Sequence, residues 1–416
     1  MLKAVAKRLV GARLWRAARL GRETLRCYRK YLFGNGAADP PRRLAYEVTY
    51  SCNARCLMCP LYGEHRDGQR RADETPEARE LTTEEARHLL EECRDLGVRH
   101  VTFTGGEPFL RRDLAELVTA AAALGIETGV ITNGSLLNAQ RASEIVAAGL
   151  HQLHISVDGP AEVHDGIRRV PGMFARIDRN IGSLRAAQKE LKRRNPQVTI
   201  GCTVSALNQD RLDEIVDAAA RWQTPLSLLP IFYSTPAQDD ATRRMVRMAE
   251  GKPEDWHLPS RVREVDVEAL AASLARTRRA ARQRGVEVEL GIETRDDIRR
   301  RYYRPWYADN NKCLYPWHTV RLSPDGEVYP CSIMVPMGNV RSRSLAAIWN
   351  GETYKAFRRR LRGVGLFPKC AKCCALNKHD LICGWLPRFV WGAPPGFRGR
   401  PAAGRGRDPS GIGGPF

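Results

Sequence analysis

The sequence predicts an α/β fold in which helices lie outside a parallel sheet. Runs rich in β-branched and aromatic residues alternate with stretches of helical periodicity six times along the first two thirds of the chain. The length of 416 residues suits one large domain with a smaller one attached, or two domains. Since the chain has no run of roughly eighteen or more apolar residues, we do not expect a membrane-spanning helix. The N-terminus carries arginines throughout, rather than a charged tip followed by an apolar stretch, so we do not expect an export signal.

The strands and helices alternate in order after a proline-rich linker. The strand candidates are Leu44–Tyr50, His100–Thr104, Thr128–Thr132, Leu153–Val157, Val198–Val204 and Leu226–Ile231. The helix candidates are Thr82–Leu96, Asp113–Leu124, Asn138–Ala148, Ile177–Arg194, Arg211–Trp222 and Val267–Arg284. In such sheets ligands collect at the carboxyl ends of the strands, so we expect the functional residues there.

Positive charge is concentrated at the start of the chain. The net charge is +20, and residues 1–43 carry twelve Lys or Arg against two acidic residues. Apolar residues interleave with these cations, which favours a basic amphipathic helix lying on an anionic membrane surface. A solvated basic helix is the alternative, and nucleic acid ranks below both because no separate nucleic-acid-binding module is recognisable.

The twelve cysteines are grouped as metal ligands are, and not as a disulfide framework, which indicates a reducing cytoplasm. Cys52, Cys56 and Cys59 form a CxxxCxxC loop directly after the first strand. Three thiolates can hold a four-iron cube by three corners, and the open iron can then chelate the amino and carboxylate groups of a small molecule. A three-cysteine zinc site, or three unrelated buried thiols, is the alternative.

This loop, with Asn53 after its first cysteine and Pro60 after its last, resembles that of the radical S-adenosylmethionine (SAM) superfamily. The resemblance implies a partial (β/α)6 barrel and a [4Fe-4S] cluster whose open iron binds SAM. It further implies that SAM is cleaved reductively to a 5′-deoxyadenosyl radical, which abstracts a hydrogen atom from a substrate C–H bond. An external electron donor such as flavodoxin or ferredoxin would supply the electron.

The resemblance extends to segments after the second and fourth strands, Thr104–Pro108 and Ser156–Pro160. It implies SAM contacts at Met58, Gly105, Gly106, Glu107, Ser156, Asp158 and Arg168. Glycines let the backbone approach a ligand, and the carboxylate of Glu107 can accept hydrogen bonds from an ammonium group. A plain strand-to-helix turn is the alternative for the glycine segment, and Asp158 has the alternative role of capping the next helix. The family's Gly-rich segment ending in Glu is missing from the fifth strand.

A second group of cysteines lies near the end of the chain. Its predicted ligands are Cys313, Cys331, Cys370 and Cys373, with Cys374 or Cys383 as replacements or as a hydrogen donor. The spacing, with Gly338–Val340 and Ser344–Trp349, resembles the SPASM family of radical SAM enzymes. Because the usual further cysteine pair is missing, we expect one auxiliary cluster, as in the related twitch modules. A structural zinc site is the alternative, and Cys27, Cys93 and Cys202 are expected to be packing residues.

We therefore divide the chain into a basic segment at 1–40, a barrel at 41–265, a linker region at 266–310, an auxiliary module at 311–392 and a disordered tail at 393–416. Segments 61–80 and 234–263 are candidate lids. We expect a ribosomal peptide or protein, or a small molecule, as substrate. The alternatives are a lipid- or membrane-associated oxidoreductase or epimerase, and a non-catalytic iron-sulfur or zinc-binding protein. We expect it in the cytoplasm, with peripheral contact to the inner membrane face as a hypothesis.

Overall fold

A computed structural model describes residues 25–59, 80–246, 258–304 and 312–373. Several predicted segments lie wholly or partly outside the described residues. They are the basic segment at 1–40, the candidate lids at 61–80 and 234–263, the end of the auxiliary module with Cys374 and Cys383, and the tail at 393–416. The six predicted strands and the seven predicted ligand cysteines all fall within the described ranges.

Ten strands in the described ranges form one continuous sheet. They are β1 (Arg43–Glu47), β2 (His100–Thr104), β3 (Glu127–Thr132), β4 (Gln152–Ser156), β5 (Gln197–Val204), β6 (Leu226–Pro230), β7 (Val288–Leu290), β8 (Thr319–Leu322), β9 (Glu327–Tyr329) and β10 (Gly338–Asn339). Their order is β10-β9-β8-β1-β2-β3-β4-β5-β6-β7. All pairs from β8 through β7 are parallel, whereas β9 and β10 pair antiparallel.

Helices connect these strands. They are α1 (residues 25–33), α2 (Thr83–Leu96), α3 (Leu114–Ala123), α4 (Ala139–Ala147), α5 (Ala161–Arg168), α6 (Met173–Glu190), α7 (Ile215–Arg221), α8 (Pro236–Val246), α9 (Ser260–Arg263), α10 (Val267–Arg284), α11 (Arg295–Tyr302), α12 (Leu345–Trp349) and α13 (Glu352–Val364). The termini follow local sequence signals. Helix α2 begins with a capping box formed by Thr82 and Glu85, and it ends at Gly97, whose φ of 80° favours glycine.

The six predicted strands are confirmed, and the structure adds four more. The added strand β7 lies within the region predicted as a linker, and β8 to β10 lie in the C-terminal module. Each of these strands has two to four residues, too few for an alternating pattern to stand out in the sequence. Helix α5 was also not predicted, and the predicted helix Arg211–Trp222 is divided into a 3-10 turn and the shorter α7.

The first strand ends earlier than the predicted Tyr50 because the chain after Glu47 turns toward a carboxylate. The hydroxyl of Thr49 donates to Oε1 of Glu80 at 2.7 Å, and the backbone N–H of Tyr50 donates to the same oxygen at 2.8 Å. These bonds divert the backbone from the sheet ladder. The cysteine loop therefore starts directly at the carboxyl end of β1.

The C-terminal module is continuous with the barrel sheet. Strand β8 pairs parallel with β1, so that Ala45 lies opposite Arg321 and Tyr46 lies opposite Leu322. Strand β1 thus has β2 on one side and β8 on the other. The strand that leads into the first cysteine group therefore also contacts the module that carries the second group.

A buried arginine connects the N-terminal part of the described chain to this module. Arg358 on α13 is fully buried, and its guanidinium carbon lies 4.1 Å from the ring centres of both Trp349 and Tyr354. Its nitrogens donate to the carbonyl oxygens of Pro316 at 2.8 Å and Gly36 at 3.2 Å. Arg358 thereby satisfies backbone acceptors in separate segments.

Helix α1 exposes large apolar side chains. Phe33 is 80% exposed, and Leu25 and Leu32 are also exposed. Within the described ranges, none of the helices combines the length and the apolar character needed to cross a bilayer.

Candidate active site

The CxxxCxxC loop is bound to the carboxyl end of helix α5. The backbone N–H of Leu57 donates to the carbonyl of Ile167 at 2.9 Å, and that of Arg55 donates to the carbonyl of Arg168 at 3.3 Å. The last carbonyls of a helix lack partners within the helix, so they are available to accept these bonds. Helix α5, which we did not predict, thus positions the cysteine loop.

Asn53 connects the cysteine loop to the segment that follows β3. Its side-chain amide donates to Oγ of Ser135 at 2.9 Å, while its Oδ1 accepts from Nδ2 of Asn133 at 2.8 Å. A side-chain amide offers both donors and an acceptor, and Asn53 uses both kinds here. The asparagine of the motif therefore has a structural role in orienting the loop.

The two glycines after β2 lie against the backbone that leads into the cysteine loop. A Cβ on Gly105, whose φ is +132°, would lie 2.5 Å from the carbonyl oxygen of Thr49, and a Cβ on Gly106 would lie even closer to that of Ser51. The N–H of Gly106 donates to the Thr49 carbonyl at 2.8 Å. These glycines, predicted to allow close approach of a ligand, are also required for the close approach of two protein segments.

Glu107 is fully buried and its carboxylate accepts from protein donors. Oε1 accepts from the hydroxyl of Thr132 at 2.6 Å and from the N–H of Phe109 at 3.1 Å, and Oε2 accepts from the N–H of Asn133 at 2.8 Å. Burial raises the pKa of Glu107, although these three hydrogen bonds oppose the shift. The carboxylate therefore fixes the segment after β3, a role that the sequence argument did not include.

Asp158 and Arg168 form an ion pair close to the cysteine loop. Nη2 of Arg168 lies 2.6 Å from Oδ2 of Asp158, and its Nη1 lies 3.7 Å from Sγ of Cys56. Asp158 is fully buried and also accepts from the N–H of Thr203 at 3.0 Å. Helix α5 has Pro160 as its N-cap, so the alternative role of Asp158 as the cap of this helix is wrong.

A cavity of about 340 Å³ opens at the carboxyl ends of the strands. Its lining includes the three loop cysteines and the predicted contacts Met58, Gly105, Gly106, Ser156 and Arg168. Residues that the sequence argument missed also line it: Thr104, Ile131, Thr132, Asn133, Thr203 and Leu229 to Phe232. Most of these residues lie at the carboxyl ends of β2, β3, β5 and β6. Their position at the end of a predicted strand is therefore the signal by which the sequence could have identified them.

The donor set at this cavity fits an iron-sulfur cluster. Burial raises the pKa of Cys52 to about 12, and the neighbouring groups Cys56, Glu107 and Cys59 raise it as well. Burial also raises the pKa of Cys56, with Arg168 opposing it. Burial alone thus favours the protonated thiols, and these cysteines would bind a cluster as thiolates by losing their protons to ligation. What fits the cluster is the donor set itself, three cysteine sulfurs on one loop at one cavity.

The second cysteine group is also brought together. Burial raises the pKa of Cys370 well above its ordinary value, and the nearby thiols of Cys313, Cys331 and Cys373 raise it further. The 3-10 turn Pro368–Lys372 places Cys370 three residues before Cys373, a spacing that puts side chains on one side of such a turn. The four thiols predicted from the sequence thus lie near one another, with Cys370 buried and the other three partly exposed.

Among the residues that the structure covers, no three His, Cys, Asp or Glu side chains lie close enough to share a single metal ion. In a four-iron cube each thiolate binds a different iron, so its sulfurs need not converge on one point. Cys93 and Cys202 are fully buried on α2 and β5, as packing residues would be.

Family comparisons agree with both cysteine groups. The model of the radical SAM superfamily matches residues 46–219. The SPASM model, described as an iron-sulfur cluster-binding domain, matches residues 313–374. The chain belongs to the radical SAM superfamily and carries a C-terminal SPASM domain. It is an enzyme of this superfamily, and its cofactors are SAM and [4Fe-4S] clusters, including an auxiliary one.

Curated relatives have two kinds of named activity. The AdoMet-dependent heme synthase of Oleidesulfovibrio alaskensis is 31% identical over 354 residues, covering 82% of this chain and 81% of the relative. The PqqA peptide cyclase of Xanthomonas euvesicatoria pv. vesicatoria is 27% identical over 356 residues, covering 82% of each.

Solved structures support the fold. SuiB of Streptococcus suis bound to S-adenosylmethionine matches with a TM-score of 0.54 at 16% identity, covering 81% of this chain and 73% of that one. Native anSMEcpe with bound AdoMet matches with a TM-score of 0.52 at 15% identity, covering 76% of this chain and 82% of that one.

Proposed function

We propose that this enzyme binds SAM in the cavity at the carboxyl ends of the strands and oxidises a C–H bond of a peptide substrate. The observation that carries the proposal is the shared cavity: the three loop cysteines, the glycines after β2 and Ser156 all line it. In this proposal Cys52, Cys56 and Cys59 hold the SAM-binding [4Fe-4S] cluster. Cys313, Cys331, Cys370 and Cys373 hold one auxiliary cluster.

The chain's own groups in this proposal bind and orient SAM. The backbone at Gly105 and Gly106 receives the amino group, and the backbone of Met58 contacts the adenosine side. The hydroxyl of Ser156 hydrogen-bonds the ribose. Arg168 keeps its ion pair with Asp158 and offers its remaining N–H groups to the SAM carboxylate. Glu107 contributes indirectly, because its carboxylate accepts from the backbone N–H groups of Phe109 and Asn133 and so holds these segments in place.

A [4Fe-4S] cluster held by Cys52, Cys56 and Cys59 would supply the one-electron chemistry needed for reductive cleavage of SAM. The protein's part is to hold the reacting carbon in place and to exclude water and stray hydrogen donors. Ile131, Leu229 and Ile231 give the cavity an apolar wall that serves this purpose. An electron donor of the flavodoxin or ferredoxin class supplies each electron.

The size of the cavity suits a small ligand such as SAM. Its volume of about 340 Å³ is near the lower end of the range for drug-sized ligands, roughly 300 to 1,000 Å³. The relatives named PqqA peptide cyclase and the SuiB structure bound to the precursor peptide SuiA support a peptide substrate.

Anaerobic reconstitution with iron and sulfide, followed by addition of SAM and dithionite, tests the enzymatic proposal. We expect 5′-deoxyadenosine from the wild-type chain and none above background from Cys56→Ala. Cys93→Ala is the matched control, because Cys93 is a fully buried thiol on α2. Equal product from wild type and Cys56→Ala would refute the proposal.

A small molecule of the heme-precursor class is the second candidate substrate. It is favoured by the 31% identity to a heme synthase over 82% of this chain. Deuterium transfer into 5′-deoxyadenosine distinguishes the two candidates. Transfer from a labelled peptide encoded next to the gene supports the peptide, and transfer only from a labelled heme precursor supports the second candidate.

Helix α1 supports a peripheral membrane contact in addition to catalysis. Its exposed Phe33, Leu32 and Leu25 lie on a helix that also carries Arg26, Arg29 and Lys30. Exposed apolar and cationic side chains on one helix favour binding to anionic lipid surfaces.

A further inference from the structure

An ion pair joins β1, the strand that leads to the first cysteine group, to β8 in the C-terminal module. Arg321 on β8 pairs with Glu47, the last residue of β1, through its Nη2 and Oε1 of the carboxylate. Both side chains are largely buried, at 18% and 11% exposure. Sequence patterns do not connect these two residues, since 274 positions separate them.

Arg321 also contacts the segment that holds Cys331. Its Nη1 donates to Oγ of Ser332, the residue after Cys331, at 2.8 Å. The guanidinium and the Cys331 sulfur interact electrostatically, and so do the guanidinium and the partly buried Tyr315. Arg321 is thus a permanent positive charge beside the second cysteine group.

We propose that Arg321 positions the Cys331 turn and, together with Glu47, sets the reduction potential of the auxiliary cluster. The inference rests on the proposed ligand set Cys313, Cys331, Cys370 and Cys373. One-electron reduction adds one negative charge to the cluster, and the electron comes from a one-electron reductant of the flavodoxin or ferredoxin class. A buried cation stabilises this added charge, and a buried carboxylate opposes it.

The two members of the pair therefore have opposite effects. Arg321→Gln leaves Glu47 without its cation, so the reduced cluster becomes less stable and the potential falls. Glu47→Gln leaves Arg321 without its anion, so the potential rises. The double variant lies close to wild type because it removes both charges.

The test is an anaerobic redox titration of the full-length holoenzyme, followed by electron paramagnetic resonance. Added SAM perturbs the signal of the cluster with the open iron and so separates it from the auxiliary signal. We expect about a tenfold loss in the reduction equilibrium constant for Arg321→Gln, or about 59 mV for one electron. For Glu47→Gln we expect a shift of similar size in the opposite direction. Arg321→Lys, which keeps the charge, should recover at least half of the shift.

Arg341→Gln is the matched control. Arg341 forms an ion pair with Glu85 and also donates to the backbone carbonyls of Asp325 and Glu80. Its removal should leave the auxiliary potential unchanged. If Arg321→Gln fails to fold, Glu47→Gln decides the matter: a raised potential supports the proposal, and an unchanged one overturns it.

Iron content separates this inference from the proposed function. A wild-type chain with two cubes holds about eight irons. If the Cys370→Ala variant retains as much iron as wild type, the proposed ligand set is wrong. Suppose instead that the auxiliary cluster loads normally in all variants while its reduction equilibrium constant changes by less than twofold from wild type. In that case the ligand set stands and the role of Arg321 is refuted.

Discussion

The backbone N–H of Glu107 donates to the carbonyl oxygen of Ser51 at 2.8 Å, so the turn after β2 is bonded directly to the start of the cysteine loop. Gly106, one residue earlier, lies so close to the same carbonyl that a Cβ has no space. Two backbone segments therefore hold each other at the cavity. This contact depends on the missing side chain at position 106.

We expect Gly106→Ala to separate these segments and to reduce iron bound at the first cysteine group by at least about tenfold. Gly182→Ala is the matched control, since a Cβ on Gly182 within α6 meets no atom within 4 Å. Alanine there should raise stability by up to about 1 kcal/mol because it favours the helix. Iron content and thermal unfolding measure both effects. Normal iron in Gly106→Ala would contradict the interpretation.

Asn53→Ala should weaken retention of the cluster. The substitution removes the bonds to Ser135 and Asn133, each of which contributes about 1 kcal/mol. The measurement is the rate at which a chelator removes iron from the reconstituted chain. Asn138→Ala is the control, because Asn138 caps α4 and its loss lowers stability by about 1 kcal/mol without touching the cysteine loop. Equal rates of iron loss in the two variants would show that Asn53 has no special role.

Arg358→Met should lower the free energy of unfolding by at least about 3 kcal/mol. It leaves buried carbonyls of Pro316 and Gly36 without a donor and removes the cationic contact with Trp349. The neighbouring Arg359→Met, at a side chain that is 38% exposed, should change stability by less than about 0.5 kcal/mol. Denaturant unfolding compares the two. A similar effect of both substitutions would argue against a structural role specific to Arg358.

Stability should fall in mild acid because of His100. Burial, with a further contribution from Arg43, lowers the pKa of His100 to about 4. The folded chain therefore binds this proton less readily than the unfolded chain, whose histidine has a pKa near 6.5. The contribution of neutral His100 to the free energy of unfolding is fully present above pH 6.5. It is lost as the pH falls toward 4, by up to about 1.4 kcal/mol per pH unit. His100→Gln should flatten this part of the profile of melting temperature against pH. An unchanged slope would refute the assignment.

Membrane contact through α1 predicts binding to anionic vesicles at low salt. We expect Phe33→Ser to weaken cosedimentation with phosphatidylglycerol vesicles several-fold, since Phe33 is 80% exposed. Leu191→Ser is the control, at an exposed leucine after α6. Binding should decrease as salt is added. If the wild-type chain does not sediment with the vesicles at low salt, the membrane hypothesis fails.

The sequence predicted the six barrel strands and the position of both cysteine groups because each depends on local pattern. Cys313 and Cys370 could be assigned to one site only through a family resemblance. Such a resemblance concerns the spacing of cysteines along the sequence, and it does not give the distance between them in space. The pairing of Glu47 with Arg321 was beyond sequence reasoning, since it depends on β8 lying beside β1. The role of Glu107 was also missed, because hydrogen bonds to Thr132 and Asn133 arise only once β2 and β3 are neighbours.

The parallel pairing of β8 with β1 has a consequence for how this protein can be divided. A fragment that stops before residue 312 loses the partner of Arg43–Tyr46 and presents β1 as an open sheet edge. Exposed edges of this kind recruit other chains, so such a fragment is prone to aggregate. The SPASM domain therefore cannot be removed as an independent unit, and exchange of this domain between relatives would have to preserve the strand that pairs with β1.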